Sequence, residues 1–260
     1  MHRHNHVYVS GKGMISALGP DVPRTATALY AQHPRLPALP RKVETSLQLP
    51  VFEIPDLVPD PGIPGGFSLQ MLRCALQEAL ADAGLNARDL ARQRVGVCIG
   101  TTVACQLNNI PFYATLRSGS TPPAQPFRDY IAGNPAEWIR QEFHLQGPAL
   151  TVSNACSSGA DAIGIAMLWL RQGLCDLVIS GGTDEINKVP LDGFNALGVC
   201  SPEPCRPFDA RRNGLNLGEG AGIVILSARA PDGSTPRFAV AGYGNSSDAF
   251  HITQPDPEGK

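Results

Sequence analysis

Cys156 stands in Val152-Ser153-Asn154-Ala155-Cys156-Ser157-Ser158-Gly159, where a short apolar run gives way to a long segment of helical composition. A thiol at a strand-to-helix junction is placed to act as a nucleophile. The first N–H groups of a helix lack intrahelical partners and carry the positive end of its dipole, so they favour thiolate over thiol and can hold an oxyanion. The small residues Ser157, Ser158 and Gly159 let a bulky acyl group approach. Inert packing is the competing fate of a free thiol, and the local pattern alone leaves both open.

The elements that must position this thiol can be read from periodicity and breakers. Leu150 to Ser153 reads as the strand before it, and Ser157 to Gln172 as a helix apolar on nearly every face, which belongs in the middle of a domain. Further strands are expected at Val7 to Ser10, Arg94 to Ile99, Cys175 to Ser180 and Phe238 to Ala241, and Ile223 to Leu226 is an apolar run. A Gly/Ser-rich turn follows the first of them and leads to a helix at Val22 to Ala31. Ser68 to Ala83 reads as a helix with Ser68 as N-cap and Gly84 as its stop, and Pro135 to His144 as another. The proline-rich stretch Pro34 to Pro64 is expected to wrap the surface irregularly, and Thr101 to Gln146 has weak periodicity. Strands alternating with helices argue for an α/β layered fold.

Composition excludes several classes. With 260 residues, 43% of them hydrophobic, the chain buries a sizeable core. The net charge is only −2 and no Lys/Arg block occurs, so nucleic-acid binding has little electrostatic support. No stretch is long and apolar enough to span a bilayer, and no secretory pattern opens the chain, which makes a cytoplasmic location the expectation. The seven cysteines form no C-x-x-C pair and read as reduced thiols, with Cys98 and Cys175 as core filler. Cys200 and Cys205 have no histidine support as metal ligands, and neither a metal nor a cofactor is expected.

Downstream of Cys156 come Gly181-Gly182-Thr183-Asp184, Leu191-Asp192-Gly193-Phe194-Asn195-Ala196-Leu197, Cys205-Arg206-Pro207-Phe208-Asp209 and Gly214-Leu215-Asn216-Leu217-Gly218-Glu219-Gly220-Ala221-Gly222. In order and spacing these motifs resemble the β-ketoacyl synthases, condensing enzymes of fatty-acid and polyketide assembly. The resemblance begins at Val7-Tyr8-Val9-Ser10-Gly11-Lys12-Gly13 and persists to Asp248-Ala249-Phe250-His251-Ile252-Thr253. It implies the thiolase-like fold, α/β/α/β/α in a complete enzyme. Residues 1–237 would form the N-terminal half and 238–260 the start of the second.

The resemblance also implies roles. Cys156 matches the acyl-accepting cysteine, which takes an acyl chain from the thioester of an acyl carrier protein, and its own N–H would be one oxyanion donor. Phe194 matches a phenylalanine lining the acyl pocket, and Val103 aligns with another pocket residue. Arg206, Asp209 and Glu219 belong to signature segments in which holding loops is as good a role as catalysis. Condensation with malonyl-acyl carrier protein needs two histidines, a lysine and a second oxyanion donor that the family carries beyond the point matching Lys260. His144 and His251 match none of these, so the chain reads as the N-terminal portion of such an enzyme. The family pairs the strand before the nucleophile across a dimer two-fold, implying a homodimer or a ketosynthase-like heterodimer. The alternative reading is a non-catalytic chain-length-factor-like subunit, although such subunits lack the cysteine. A stand-alone cysteine hydrolase would need a base the sequence does not offer. Asn154 and Asn213 depart from the common Thr and Asp, as in a specialised branch.

Overall fold

A computed structural model of the chain describes residues 6–31, 35–63, 66–102, 110–124, 128, 134–230, 238–251 and 254–259. Val103 and Cys105 lie outside them. Six strands form one sheet: β1 (Val7–Ser16), β2 (Val95–Gly100), β3 (Ala149–Val152), β4 (Leu177–Asp184), β5 (Gly220–Ser227) and β6 (Ala239–Val240), in the order β3-β2-β4-β5-β1-β6. β3, β2 and β4 run parallel, while β5, β1 and β6 continue the sheet antiparallel.

Side chains alternate between the two faces, as a strand's period of two requires. Leu177, Ile179, Val97, Ile99, Ile223 and Ile225 enter one core, and Val178, Cys98 and Leu226 enter the other. Both faces are covered, so β2 is buried at every position. The first core is closed by α2 (Gly66–Asp82), whose Leu69, Leu72, Leu76 and Leu80 recur at helical spacing. The second is closed by α6 (Ser158–Arg171) through Ala162, Ala166, Met167 and Leu170. Among the described residues the other helices are α1 (Val22–Leu29), α3 (Ala87–Ala91), α4 (Ile110–Arg117), α5 (Pro135–Glu142) and α7 (Lys188–Ala196).

Several boundaries differ from the sequence reading. β1 runs straight through the expected Gly/Ser turn. At Gly11 and Gly13 a Cβ would lie 2.3 Å from the Ala79 carbonyl oxygen and 2.1 Å from that of Ala75, so these glycines serve the close approach of α2 to the strand. Ser68 is not the N-cap of α2 but a buried residue inside it. Its N–H is taken by the Glu185 carboxylate at 2.9 Å. Cys175 is buried but precedes β4, which extends instead through Gly181-Gly182-Thr183-Asp184. The weakly periodic stretch contains α4, and α5 stops at Glu142, before His144 with its φ of 51°. The proline-rich segment does more than wrap. Val51, Glu53 and Ile54 are buried, and Glu53 accepts from the N–H groups of Arg41 and Lys42.

Candidate active site

β2, β3 and β4 run parallel, so their C-terminal ends reach the same side of the sheet, where α6 begins. Clefts form at such places in α/β layers. Here a cleft of about 380 Å³ is lined by Cys156, Thr101, Thr102, Asp184, Gly218 and Ala221, among others. Gly100 closes the back of it, because a Cβ at that position would meet the Ser158 carbonyl at 2.4 Å.

Cys156 is exposed in a short 3₁₀ turn, Ala155–Ser157, that joins β3 to α6. Ala155 carries a φ of 49°, a left-handed conformation that costs an L-residue about 1 kcal/mol. The hydrogen bonds around the turn hold it there. The Asn154 N–H donates to Ser158 Oγ at 2.7 Å, and Ser158 Oγ donates to the Ala155 carbonyl at 2.7 Å. Within the turn, Ser157 N donates to Asn154 O and Ser158 N to Ala155 O. The Cys156 N–H is used by neither bond.

Asp161, on the first turn of α6 and buried, organises the surroundings of Cys156. Its Oδ2 accepts from Asn154 Nδ2 and Ser157 Oγ, both at 2.8 Å. Its Oδ1 accepts from Tyr243 Oη at 2.6 Å and Asn245 Nδ2 at 3.1 Å. These donors, Tyr243 foremost, then Asn154 and Ser157, hold the carboxyl at about 2, and Asp161 in turn raises the Tyr243 hydroxyl. Sequence reasoning passed over Asp161. The signal was one carboxylate in an otherwise apolar helix, five residues after the thiol. The same contacts account for Asn154, whose amide supplies a donor to this carboxylate. Asn213 accepts from Ser201 Oγ at 3.0 Å and ties down a loop.

Asp184 ends β4 and accepts from Thr101 Oγ1, the Thr102 N–H and Thr102 Oγ1 at 2.8–3.0 Å. It therefore fixes the residues leading to Val103. Phe194, half-buried on α7, lines a second pocket of about 150 Å³ that shares Thr102, Asp184 and Gly218 with the Cys156 cleft. Glu219 is buried. Lys42 Nζ donates to its Oε1 at 2.5 Å and the Ile54 N–H at 2.7 Å, so it holds the 42–54 segment. Arg206 and Asp209 do not line the cleft. Among the described residues no histidine lines it either, no group of His, Cys, Asp and Glu could hold a metal ion, and no helix is long and apolar enough to cross a membrane.

A mixed α/β layer with an exposed cysteine at the strand–turn–helix junction defines the class as a thiolase-like ketosynthase. The family profile of the β-ketoacyl synthase N-terminal domain matches residues 67–231, and the chain belongs to that family. It is 32% identical to the tetracenomycin polyketide synthase ketoacyl synthase alpha subunit of Streptomyces glaucescens over 72% of this chain and 48% of that protein. It is 30% identical to 3-oxoacyl-[acyl-carrier-protein] synthase 2 of Staphylococcus aureus strain N315 over 100% of this chain and 67% of that protein. A ketosynthase solved in complex with its chain length factor from Xenorhabdus doucetiae superposes with a TM-score of 0.83 at 26% identity, covering 100% of this chain and 66% of that one. The chain thus spans about half to two thirds of the length of these relatives.

Proposed function

We propose that this chain is the acyl-accepting portion of a ketosynthase for fatty-acid or polyketide assembly, with Cys156 as nucleophile. The observation that carries the proposal is the exposed Cys156, held on a strained turn at the start of a helix, in a cleft that adjoins the Phe194 pocket. In the reaction, the Cys156 thiolate attacks the carbonyl carbon of an acyl carrier protein thioester. The Cys156 N–H donates to the oxyanion; collapse then expels the carrier thiolate, which takes up a proton, and the acyl group remains on Sγ. Phe194 walls the chain; Val103, which lies outside the described residues, is assigned to the same pocket from the sequence alone.

In the second half of the cycle the malonyl carrier thioester loses carbon dioxide, and its enolate carbon attacks the acyl-Cys156 carbonyl, releasing the thiol. Among the described residues no histidine lines the cleft, so we assign to this chain's side chains the acyl transfer and not the condensation. We assign 1–237 to the first half of the fold and 238–260 to the start of the second. β3 ends the sheet at one side, with Leu150 41% exposed, and an open edge of this kind favours pairing with a like or unlike subunit. The unpaired described cysteines favour a reducing cytoplasm.

The test is incubation with acyl and malonyl carrier-protein thioesters, following acyl-enzyme and ketoacyl product separately by mass spectrometry. Acyl-enzyme lost in Cys156→Ala is expected. Ketoacyl product from residues 1–260 alone would overturn the division of labour. No acylation of Cys156 even in the complete assembly would favour the second reading, a chain-length-factor-like partner, which the complex from Xenorhabdus doucetiae brings into view.

A further inference from the structure

Beyond the Phe194 pocket lies a larger cleft of about 910 Å³, between the 42–46 segment and the loop 185–188 that leads into α7. Glu185 and Ile186 line both it and the Phe194 pocket, which in turn shares Thr102, Asp184 and Gly218 with the Cys156 cleft. The three spaces therefore adjoin one another through shared lining residues. The lining of the far cleft is apolar over most of its area and carries a group of polar side chains, Asn187 and Glu185 among them.

Asn187 is the telling residue. It is 2% exposed, and its Oδ1 accepts from the Val189 N–H at 2.9 Å, capping α7. That bond fixes which end of the amide is oxygen. Its Nδ2 has no hydrogen-bond partner. A buried donor left unmade is costly, so it is a group that a ligand oxygen would satisfy. Glu185, 7% exposed, lines the same cleft and accepts from the backbone and side chain of Ser68 and the backbone of Phe67; a carboxylate with about four lone-pair sites keeps room for one further donor.

Charge narrows the ligand. Both lysines of the cleft are already paired, Lys42 with Glu219 at 2.5 Å and Lys188 with Asp192 at 2.8 Å. The acids Glu44 and Glu185 line it as well, so an anionic end is disfavoured. A neutral group offering one acceptor and one donor on adjacent atoms matches the unpaired Asn187 Nδ2 and the acceptor Glu185. A secondary amide is such a group.

We infer that the acyl pocket of this chain ends at Asn187 and Glu185 in a site for an amide, and that its preferred acyl substrate carries a secondary amide in the chain distal to the thioester. The inference rests on acylation of Cys156 as proposed above and specifies which chains are taken. An amide carbonyl accepts from Asn187 Nδ2 while its N–H donates to Glu185. A plain alkyl chain of the same length leaves both unpaired, and sites built on buried hydrogen-bonding groups reject analogues that lack the partner.

The experiment uses the intact protein and matched pairs of synthetic acyl thioesters of increasing length, plain alkanoyl against the same chain with one secondary amide. The rate of Cys156 acylation is read by mass spectrometry. At the length that reaches the cleft, the amide chain is expected to acylate about tenfold faster or more. Asn187→Ser and Asn187→Asp both keep an oxygen to cap α7 and remove the amide donor, and each is expected to bring the ratio of the two rates towards one. A plain chain preferred at every length in the wild-type protein overturns the inference, as does a ratio unchanged in both variants. Acylation by neither chain is a different result, which overturns the assignment of Cys156 itself.

Discussion

Tyr243 Oη donates to Asp161 Oδ1 at 2.6 Å across 82 positions of sequence, and so joins the segment after β6 to the helix that starts at the Cys156 turn. The other Asp161 oxygen holds Asn154 and Ser157, which flank Cys156. One carboxylate thus ties two distant chain segments to the geometry of one thiol.

A pH dependence follows. The folded-state value of Asp161, about 2, lies below the ordinary carboxylate value of about 3.9, so folding favours the ionised form. Its contribution is complete above the unfolded value and is lost as pH falls towards 2. Chemical denaturation between those limits is expected to show wild-type stability falling with pH more steeply than that of Asp161→Asn. Equal slopes would remove the assigned role of the four hydrogen bonds.

Glu185 has the opposite sign. Burial, opposed by the Ser68 N–H and reinforced by Glu219, raises it to about 7. The folded state therefore binds the proton more tightly, and stability present at acid pH is lost as pH rises from the ordinary glutamate value through 7. Glu185→Gln, which cannot ionise, is expected to gain on the wild type by up to about 3 kcal/mol above that range and little below it. A pH-independent difference measured by denaturant titration would count against the shift.

Alkylation should sort the cysteines by exposure. Cys156 is exposed, Cys175 is buried, and burial pushes the Cys98 thiol up to about 12. Limited iodoacetamide treatment of the folded protein near neutral pH, mapped by mass spectrometry, is expected to label Cys156 first and to leave Cys98 and Cys175 unmodified until the chain is unfolded. First labelling of Cys200 would contradict the placement of the reactive thiol.

Lys42 and Glu219 form a buried pair, with Glu219 also holding the Ile54 N–H. Lys42→Met leaves the carboxylate without its counter-charge and is expected to cost about 3–5 kcal/mol, measured by denaturant unfolding. Adding Glu219→Gln should recover much of that loss. No recovery in the double variant would mean that the lysine acts through its stem and its packing on the Phe67 ring at 4.6 Å.

The strands at the heart of the sheet were legible because burial on both faces leaves near-continuous apolar runs, as in Val95 to Ile99 and Ile223 to Leu226. Cys156 was legible for a related reason: an apolar run, a small-residue turn and an apolar helix follow one another in sequence, and a turn is a local object. The Gly11 and Gly13 strand was not, since glycine suits both a turn and a close helix approach, and only the position of α2 decides between them. Asp161, Lys42–Glu219 and the unpaired Nδ2 of Asn187 were beyond local reading altogether. Sequence by itself determined the family, the layered fold and the proposed nucleophile, because those rest on patterns within a few turns of chain. The partners of each buried polar group were decided only by the tertiary structure, because a hydrogen bond joining residues as far apart as Asp161 and Tyr243 leaves no periodic mark on either segment.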